Sequence, residues 1–491
     1  MAKESKETYQ HVLKYTGIFG GVQGLNILLG LLRTKLIALL LGPSGMGLAS
    51  LFNTTVNFVS QATNLGIPFS AVRHVSALYD RGDHEALAHF VKVVRGWSLL
   101  TAVVGMLLCV VVGPFFSSTT FAWGDHSLHF MLLAPAVGML AITGGETAIL
   151  KGMRSLGSLA SVQVLAVVAA LVISIPVYYF FGESGIVPVI VLMALATLML
   201  TVRHSLRLMP LRLRGAKGIL GEGMEMVRLG VAFTLAAVIG SAAEMFVRSY
   251  LNVTGDLDVL GLYNAGYMLT ITYAGMVFSA MEADYYPRLS AVQHDIVATN
   301  ECVNRQMEVS LLLLSPMLAG LILFLPVLVP LLFSGKFLPI VGMTQVAALA
   351  MYLKVMTLPV AYITLARGYS LSYLFLETSY FVVFVVLMIL GYECWGLYGT
   401  GIAITLAHLF EYLLVNGYAY IKYGYRFSAT VSGYAIVQVS LGLLLFIMTL
   451  SADGLLYWGT GLLIVVLSSC LSLHVLRRKT HLWEKLRQKY F

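Results

Sequence analysis

The sequence predicts an all-α polytopic membrane protein of about fourteen transmembrane helices, and three observations carry that reading. Of 491 residues, 59% are hydrophobic and 11% charged, against roughly 45–50% and 25% in soluble domains. The apolar excess is gathered into separate continuous runs, each close to the roughly 20 residues that cross a bilayer core. The charged residues collect between the runs and alternate in sign from one connection to the next. A membrane β-barrel is excluded, because its strands are segments of about ten residues that alternate in polarity.

In chain order, the first runs lie near 12–41, 48–78, 90–116, 127–149, 158–181 and 185–203. A basic connection follows, with Arg203, Arg207, Arg212, Arg214 and Lys217. Further runs lie near 223–252, 259–288, 307–333, 340–366, 370–391, 395–421, 431–450 and 455–476. This grouping predicts two pseudo-twofold related six-helix bundles, residues 1–203 and 223–421, joined by a basic cytoplasmic linker at 204–222. A C-terminal helix pair at 422–476 and a basic tail at 477–491 complete the chain.

Charge orients it. One set of connections holds Lys3, Lys6, Arg81, Lys92, Arg95, Lys151, Arg154, the linker, Arg305, Arg367, Lys422, Arg426 and Arg477 to Lys479. The other holds Asp125, Glu183, Asp256, Asp258, Glu393 and Asp453, with Lys336 the main exception. The positive-inside rule puts the first set and both termini in the cytoplasm. The net charge of +8 is therefore read as topology and not as nucleic-acid binding. Met1 to Lys6 leads into a helix without a small-residue cleavage site, so it is read as a retained tail. Outward connections are short and leave no room for a catalytic domain, and no Walker sequence occurs. Cys109, Cys302, Cys394 and Cys470 are isolated, fit packing positions and form no metal motif. The basic tail from Arg477 to Lys489, with Trp483 at its middle and Tyr490 just after it, reads as an interfacial helix.

The chain is organised around Gly30 to Gly47, an apolar helix that carries Arg33 and Lys35 and ends in Gly42-Pro43-Ser44-Gly45-Met46-Gly47. A cation in lipid costs about 3 kcal/mol on insertion scales, so it is expected to face a partner or a cavity. Lys35 lies roughly 200° around the helix from Arg33, so the two do not share a face. The stretch has an echo: Gly47-Leu48 opens a helix ending in Arg73-His74-Val75-Ser76, and Gly261-Leu262, 261 − 47 = 214 residues later, opens one ending in Pro287-Arg288-Leu289-Ser290. An arginine precedes each glycine by about a dozen residues, Arg33 and Arg248. Parallel repeats of this kind belong to alternating-access transporters.

Gly30-Leu31-Leu32-Arg33-Thr34-Lys35, followed by Leu41-Gly42-Pro43-Ser44-Gly45-Met46-Gly47, resembles the opening of the Wzx-type polysaccharide flippases of the multidrug/oligosaccharidyl-lipid/polysaccharide exporter superfamily. Lys151-Gly152-Met153-Arg154, Tyr285-Tyr286-Pro287-Arg288 and Tyr352-Leu353-Lys354-Val355 extend the resemblance along essentially the whole chain. It implies a non-enzymatic O-antigen or related flippase of the bacterial inner membrane, serving lipopolysaccharide assembly. The implied substrate is an undecaprenyl-pyrophosphate-linked oligosaccharide, and the implied working state is a monomer among membrane lipids, alongside glycosyltransferase and polymerase partners.

On that reading Arg33, Lys35, Arg248 and Lys354 are candidates for a cationic cavity that holds the pyrophosphate, with Arg73 and Arg288 at its cytoplasmic mouth. The competing roles are snorkelling for the first pair, neutralisation of Arg248 by Glu244 one turn away, and simple topology for Arg73 and Arg288. No cofactor is expected beyond a coupling ion, H+ or Na+. Its candidate ligands are Glu146, Glu244, Glu282 and Glu377, with Glu146 the least obviously paired, while His408 and Glu411, three apart, read first as a local pair. The alternative is a sodium- or proton-coupled multidrug exporter of the same superfamily, whose cationic substrates call for an acidic cavity. A membrane polymerase or ligase would need a large outward loop, and a scaffold would not need intramembrane charge.

Overall fold

The computed structural model describes residues 2–120, 126–210 and 219–480, and no strand occurs among them. The expectations placed on Asp125, on Arg212, Arg214 and Lys217, and on the tail beyond 480 lie outside the described residues. So do the side chains of Lys3, Lys6, Glu282 and Asp284. The helices are α1 (Ala2–Thr63), α2 (Ile67–Asp80), α3 (His84–Thr120), α4 (Ser127–Gly152), α5 (Leu156–Phe181), α6 (Ile186–Leu208) and α7 (Ile219–Thr254). There follow α8 (Leu257–Tyr267), α9 (Tyr273–Val292), α10 (Ile296–Leu332), α11 (Ile340–Ala366), α12 (Ser370–Tyr423), α13 (Ala429–Ser451) and α14 (Gly454–Thr480). Nine helical stretches among the described residues are long and apolar enough to cross a membrane. Two of them, Gly157–Leu208 and Ser370–Tyr423, run 52 and 54 residues, about 80 Å of helix against a core of about 30 Å. This is a multi-pass membrane protein.

The chain forms two compact units, residues 1–261 with 332–334, and residues 262–331 with 335–491. The division runs at Gly261, whereas the sequence reading put it in the basic connection at 204–222. The reason is local packing, since α7 lies along α1, α2 and α3. The two glycines of the repeat are part of the same packing. A Cβ on Gly47 would meet the Leu257 carbonyl and lie 3.0 Å from the Gly261 nitrogen, and a Cβ on Gly261 would meet the Pro43 carbonyl, with Pro43 Cα at 3.0 Å. Backbones this close leave no room for a side chain. Gly261→Ala is therefore expected to cost about 1–3 kcal/mol, read as a lower thermal midpoint of the purified protein, whereas Gly221→Ala, in open space, should leave the midpoint unchanged.

In the first unit α1 breaks at Gly42 (φ 68°, ψ −169°). Only glycine adopts that conformation without strain, and Pro43 suits the start of the limb that follows. The run expected at 48–78 is interrupted at Asn64-Leu65-Gly66, where Leu65 and Gly66 take φ 51° and 71° and Asn64 Oδ1 accepts the Gly66 N–H at 2.9 Å. Irregular backbone at membrane depth survives only inside protein, and Gly66 and Ile67 are buried. Helices α3 and α4 form an antiparallel hairpin with Met106 against Gly138 and Ser98 against Gly145.

In the second unit α12 folds back on itself at Trp395 and Gly396 (φ 56°, ψ −140°), one or two residues past the break expected between the runs 370–391 and 395–421. Its limbs meet through Gly391 on Gly399, Tyr380 on His408 with ring centroids 5.4 Å apart, and Tyr418 donating to Ser372 at 2.6 Å. The second limb runs parallel to α11, with Gly401 against Met343 and Thr405 donating to the Val346 carbonyl at 2.8 Å. Helices α13 and α14 are tied by buried Gln438, which donates to Ser472 at 2.9 Å and accepts from Ser468 at 2.6 Å.

Candidate functional site

Arg33 sits half-buried on α1 and reaches α5 and α6. Its Nε donates to Ser174 Oγ at 3.4 Å and Nη2 points at Met193 Sδ at 3.2 Å, with Tyr178 close enough to interact electrostatically. No carboxylate among the described residues pairs with it. A guanidinium has five donors, and these neighbours are neutral. Lys35 is half-buried two residues on and has contacts of its own.

Arg248 is different. Its Nη1 donates to Glu244 Oε2 at 2.9 Å and its Nε to Ser50 Oγ at 3.0 Å. The neutralisation by Glu244, weighed from their spacing, is therefore realised. Arg248 also lies in the same compact unit as Arg33, not in the second bundle where the repeat had put it, because α7 packs on α1. Ser50, the partner beside Glu244, carries no sequence signal beyond being a small polar residue on the facing helix.

Glu146 is the main correction. The sequence left it without an obvious partner, yet Arg95 from α3 grips it twice, Nε to Oε1 at 2.8 Å and Nη2 to Oε2 at 3.2 Å. The side chains are only 10% and 7% exposed. Arg95 also donates to Ser205 Oγ at 3.3 Å and the Met209 carbonyl at 3.0 Å. Three helices, α3, α4 and α6, thus meet at one guanidinium, which the sequence had counted among the topological cations. A carboxylate held by a bidentate fork is occupied structurally, so Glu146 is withdrawn as an ion-coupling ligand.

The second unit gathers four charged or titratable groups. Lys354 on α11 donates to Glu411 Oε1 at 2.8 Å, with the side chains 25% and 7% exposed, and its ammonium stands 5.7 Å from the Tyr380 ring centroid. His408 Nε2 lies 3.9 Å from Glu411 Oε2. Glu377, half-buried on the first limb of α12, feels both Lys354 and Glu411 and accepts a hydrogen bond from Tyr373. Lys354 had no acid within one turn of its own helix. Its partner comes from the parallel limb of α12, a contact invisible to local spacing.

Arg73 is exposed on α2. Arg288 is exposed on α9, where Nη2 meets Gln306 Oε1 at 3.3 Å. Neither joins the buried groups of its unit. Glu244 is spent on Arg248, and the side chain of Glu282 is outside the described residues.

Long apolar helices holding arginine, lysine and glutamate in buried polar contacts define a transporter-like membrane protein. The chain belongs to the family described as polysaccharide biosynthesis protein, whose model matches residues 36–342. Among curated proteins it is 23% identical over 378 residues to the lipid III flippase of Escherichia coli (strain K12) and, with the same figures, to that of Shigella flexneri. Each match covers 73% of this chain and 86% of the relative. Among solved structures, the fold is shared with the lipid II flippase MurJ in an inward closed conformation. That match has a TM-score of 0.69 at 13% identity over 95% of this chain and 99% of that one. It is also shared with a multidrug resistance MATE family transporter of the MOP superfamily in an inward-facing conformation, with a TM-score of 0.68 at 14% identity over 83% and 95%.

Proposed function

We propose that the chain is a flippase that carries an undecaprenyl-pyrophosphate-linked oligosaccharide from the cytoplasmic to the outer leaflet of a bacterial inner membrane by alternating access. Arg33 is the observation that carries the proposal. A guanidinium inside an apolar helix whose neighbours among the described residues are neutral holds an unmet charge, which the pyrophosphate of the substrate would offset. Its planar fork matches paired phosphate oxygens. Family membership and the lipid III flippase relatives support the lipid-linked class of substrate.

The multidrug reading calls for carboxylates available to a cationic substrate. Glu146, Glu244 and Glu411 each already hold an arginine or lysine within 2.9 Å, which favours the anionic substrate. In a strain lacking its own lipid-linked glycan flippase, Arg33→Ala is expected to lower export about 10–100-fold, with Arg33→Lys intermediate, at equal membrane abundance. Export by Arg33→Ala at the unmodified level would overturn the proposal.

A further inference from the structure

A cavity of about 680 Å³ opens in the second unit between α10, the start of α13 and the end of α14, within the range of ligand pockets. Its polar wall is made by Glu301, Arg305 and Glu308 of α10, Arg426 and Ser428 of the α12–α13 connection, and Thr430 in the first turn of α13. Val309, Leu312, Val475 and Leu476 form its apolar part. The wall is held in place by hydrogen bonds. Asn304 Nδ2 donates to the Arg426 carbonyl at 2.9 Å, Asn304 Oδ1 accepts the Ser428 N–H at 2.8 Å, and Asn300 Oδ1 accepts the Arg426 N–H at 3.0 Å. None of the residues placed in the transport site contributes to this cavity.

The charges are mixed, two arginines and two glutamates, beside the N-terminus of a 23-residue helix whose dipole favours an anion. An anion alone would meet the glutamates unfavourably, and a cation alone the arginines. A zwitterion with an apolar tail satisfies every wall. Arg305 and Arg426 belong to the basic set of connections, the side that faces the cytoplasm by the positive-inside rule.

We propose that this cavity is a binding site for an amine-bearing zwitterionic phospholipid of the inner leaflet, of the phosphatidylethanolamine class. The phosphate lies against Arg426, Arg305 and the start of α13, the ammonium against Glu301 and Glu308, and the upper acyl chain against the valines and leucines. A primary ammonium donates hydrogen bonds to carboxylates. A quaternary choline cannot, and a phosphatidylglycerol headgroup offers no cation. The site separates these three lipids by chemistry rather than by tail.

Native mass spectrometry of the full-length protein, titrated in turn with phosphatidylethanolamine, phosphatidylcholine and phosphatidylglycerol of identical acyl chains, tests the assignment. The expected result is about tenfold tighter binding of phosphatidylethanolamine than of phosphatidylcholine. Glu301→Gln combined with Glu308→Gln should erase that preference, and Arg426→Ala should weaken all three lipids. Thermal midpoints of both variants should match the unmodified protein, since the backbone latches to Asn300 and Asn304 are kept. Equal binding of phosphatidylethanolamine and phosphatidylcholine, tightest binding of phosphatidylglycerol, or a preference that survives the double substitution would overturn it. Glycan export is not the readout, so failure here leaves the flippase proposal standing.

Discussion

Arg95→Ala and Glu146→Ala are each expected to destabilise the protein by about 3–5 kcal/mol, because either one strands a buried charge. The pair is bidentate, its side chains are only 10% and 7% exposed, and it is held between α3, α4 and α6. Losing Arg95 costs more than losing Glu146. Its guanidinium also satisfies Ser205 and the Met209 carbonyl, contacts to α6 that Glu146→Ala leaves in place. Replacing both members by apolar residues of similar volume, Arg95→Met with Glu146→Leu, should recover most of the loss, since buried ion pairs and packed apolar residues are often close in stability. Thermal unfolding of the detergent-purified variants measures this, with the amount of folded protein in the membrane as a second readout. A double variant as unstable as the singles would mean that the contacts of Arg95 to α6, and not the ion pair, hold the three helices.

The same pair shows how much of the site can be read from the chain. The antiparallel hairpin of α3 and α4 was legible, because two apolar runs flank one short connection. Its register follows from that geometry: Ser98 faces Gly145 and Met106 faces Gly138, so Arg95 must pass close to Glu146. Arg95 was set aside because it falls near the basic end of its run, where the positive-inside rule already accounts for it. A topological reason for a cation does not exclude a structural one. The Glu244–Arg248 pair was legible by contrast, since four residues on one helix bring the groups together whatever surrounds them.

What spacing could not supply was contact between elements far apart in sequence. Lys354 looked unpartnered because its acid is 57 residues on, across the turn at Trp395 and Gly396. That turn was itself expected, yet nothing local reveals that the returning limb runs parallel to α11 in the register that brings Glu411 to Lys354. The unit boundary failed for a related reason. Composition marks the basic connection at 204–222 as a divide, while α7 continues beyond it to pack on α1, and the deciding contact is between backbones at Gly47 and Gly261. Glycine in an apolar run signals close approach without naming the partner.

The Lys354–Glu411 pair yields the sharpest test of whether a buried cation is structural or serves the substrate. Glu411→Ala leaves the Lys354 ammonium beside Tyr380 and His408 without its strongest acceptor, with Glu377 as the remaining carboxylate nearby. Lys354→Ala leaves two glutamates near each other with no cation between them. Each single change is expected to cost about 2–4 kcal/mol, less than a fully enclosed pair because the lysine is a quarter exposed. The double change Lys354→Ala with Glu411→Ala removes both charges and should restore folded protein to near the original level. Export separates the roles. If Lys354 leaves Glu411 to hold the phosphates during transport, the double variant folds but does not export the lipid-linked glycan, and Glu411→Gln, which keeps a hydrogen-bond acceptor for the lysine while removing the competing charge, retains export. If the pair only braces α11 against α12, export returns with stability in the double variant, and Arg33 is left as the cation on which the substrate reading rests.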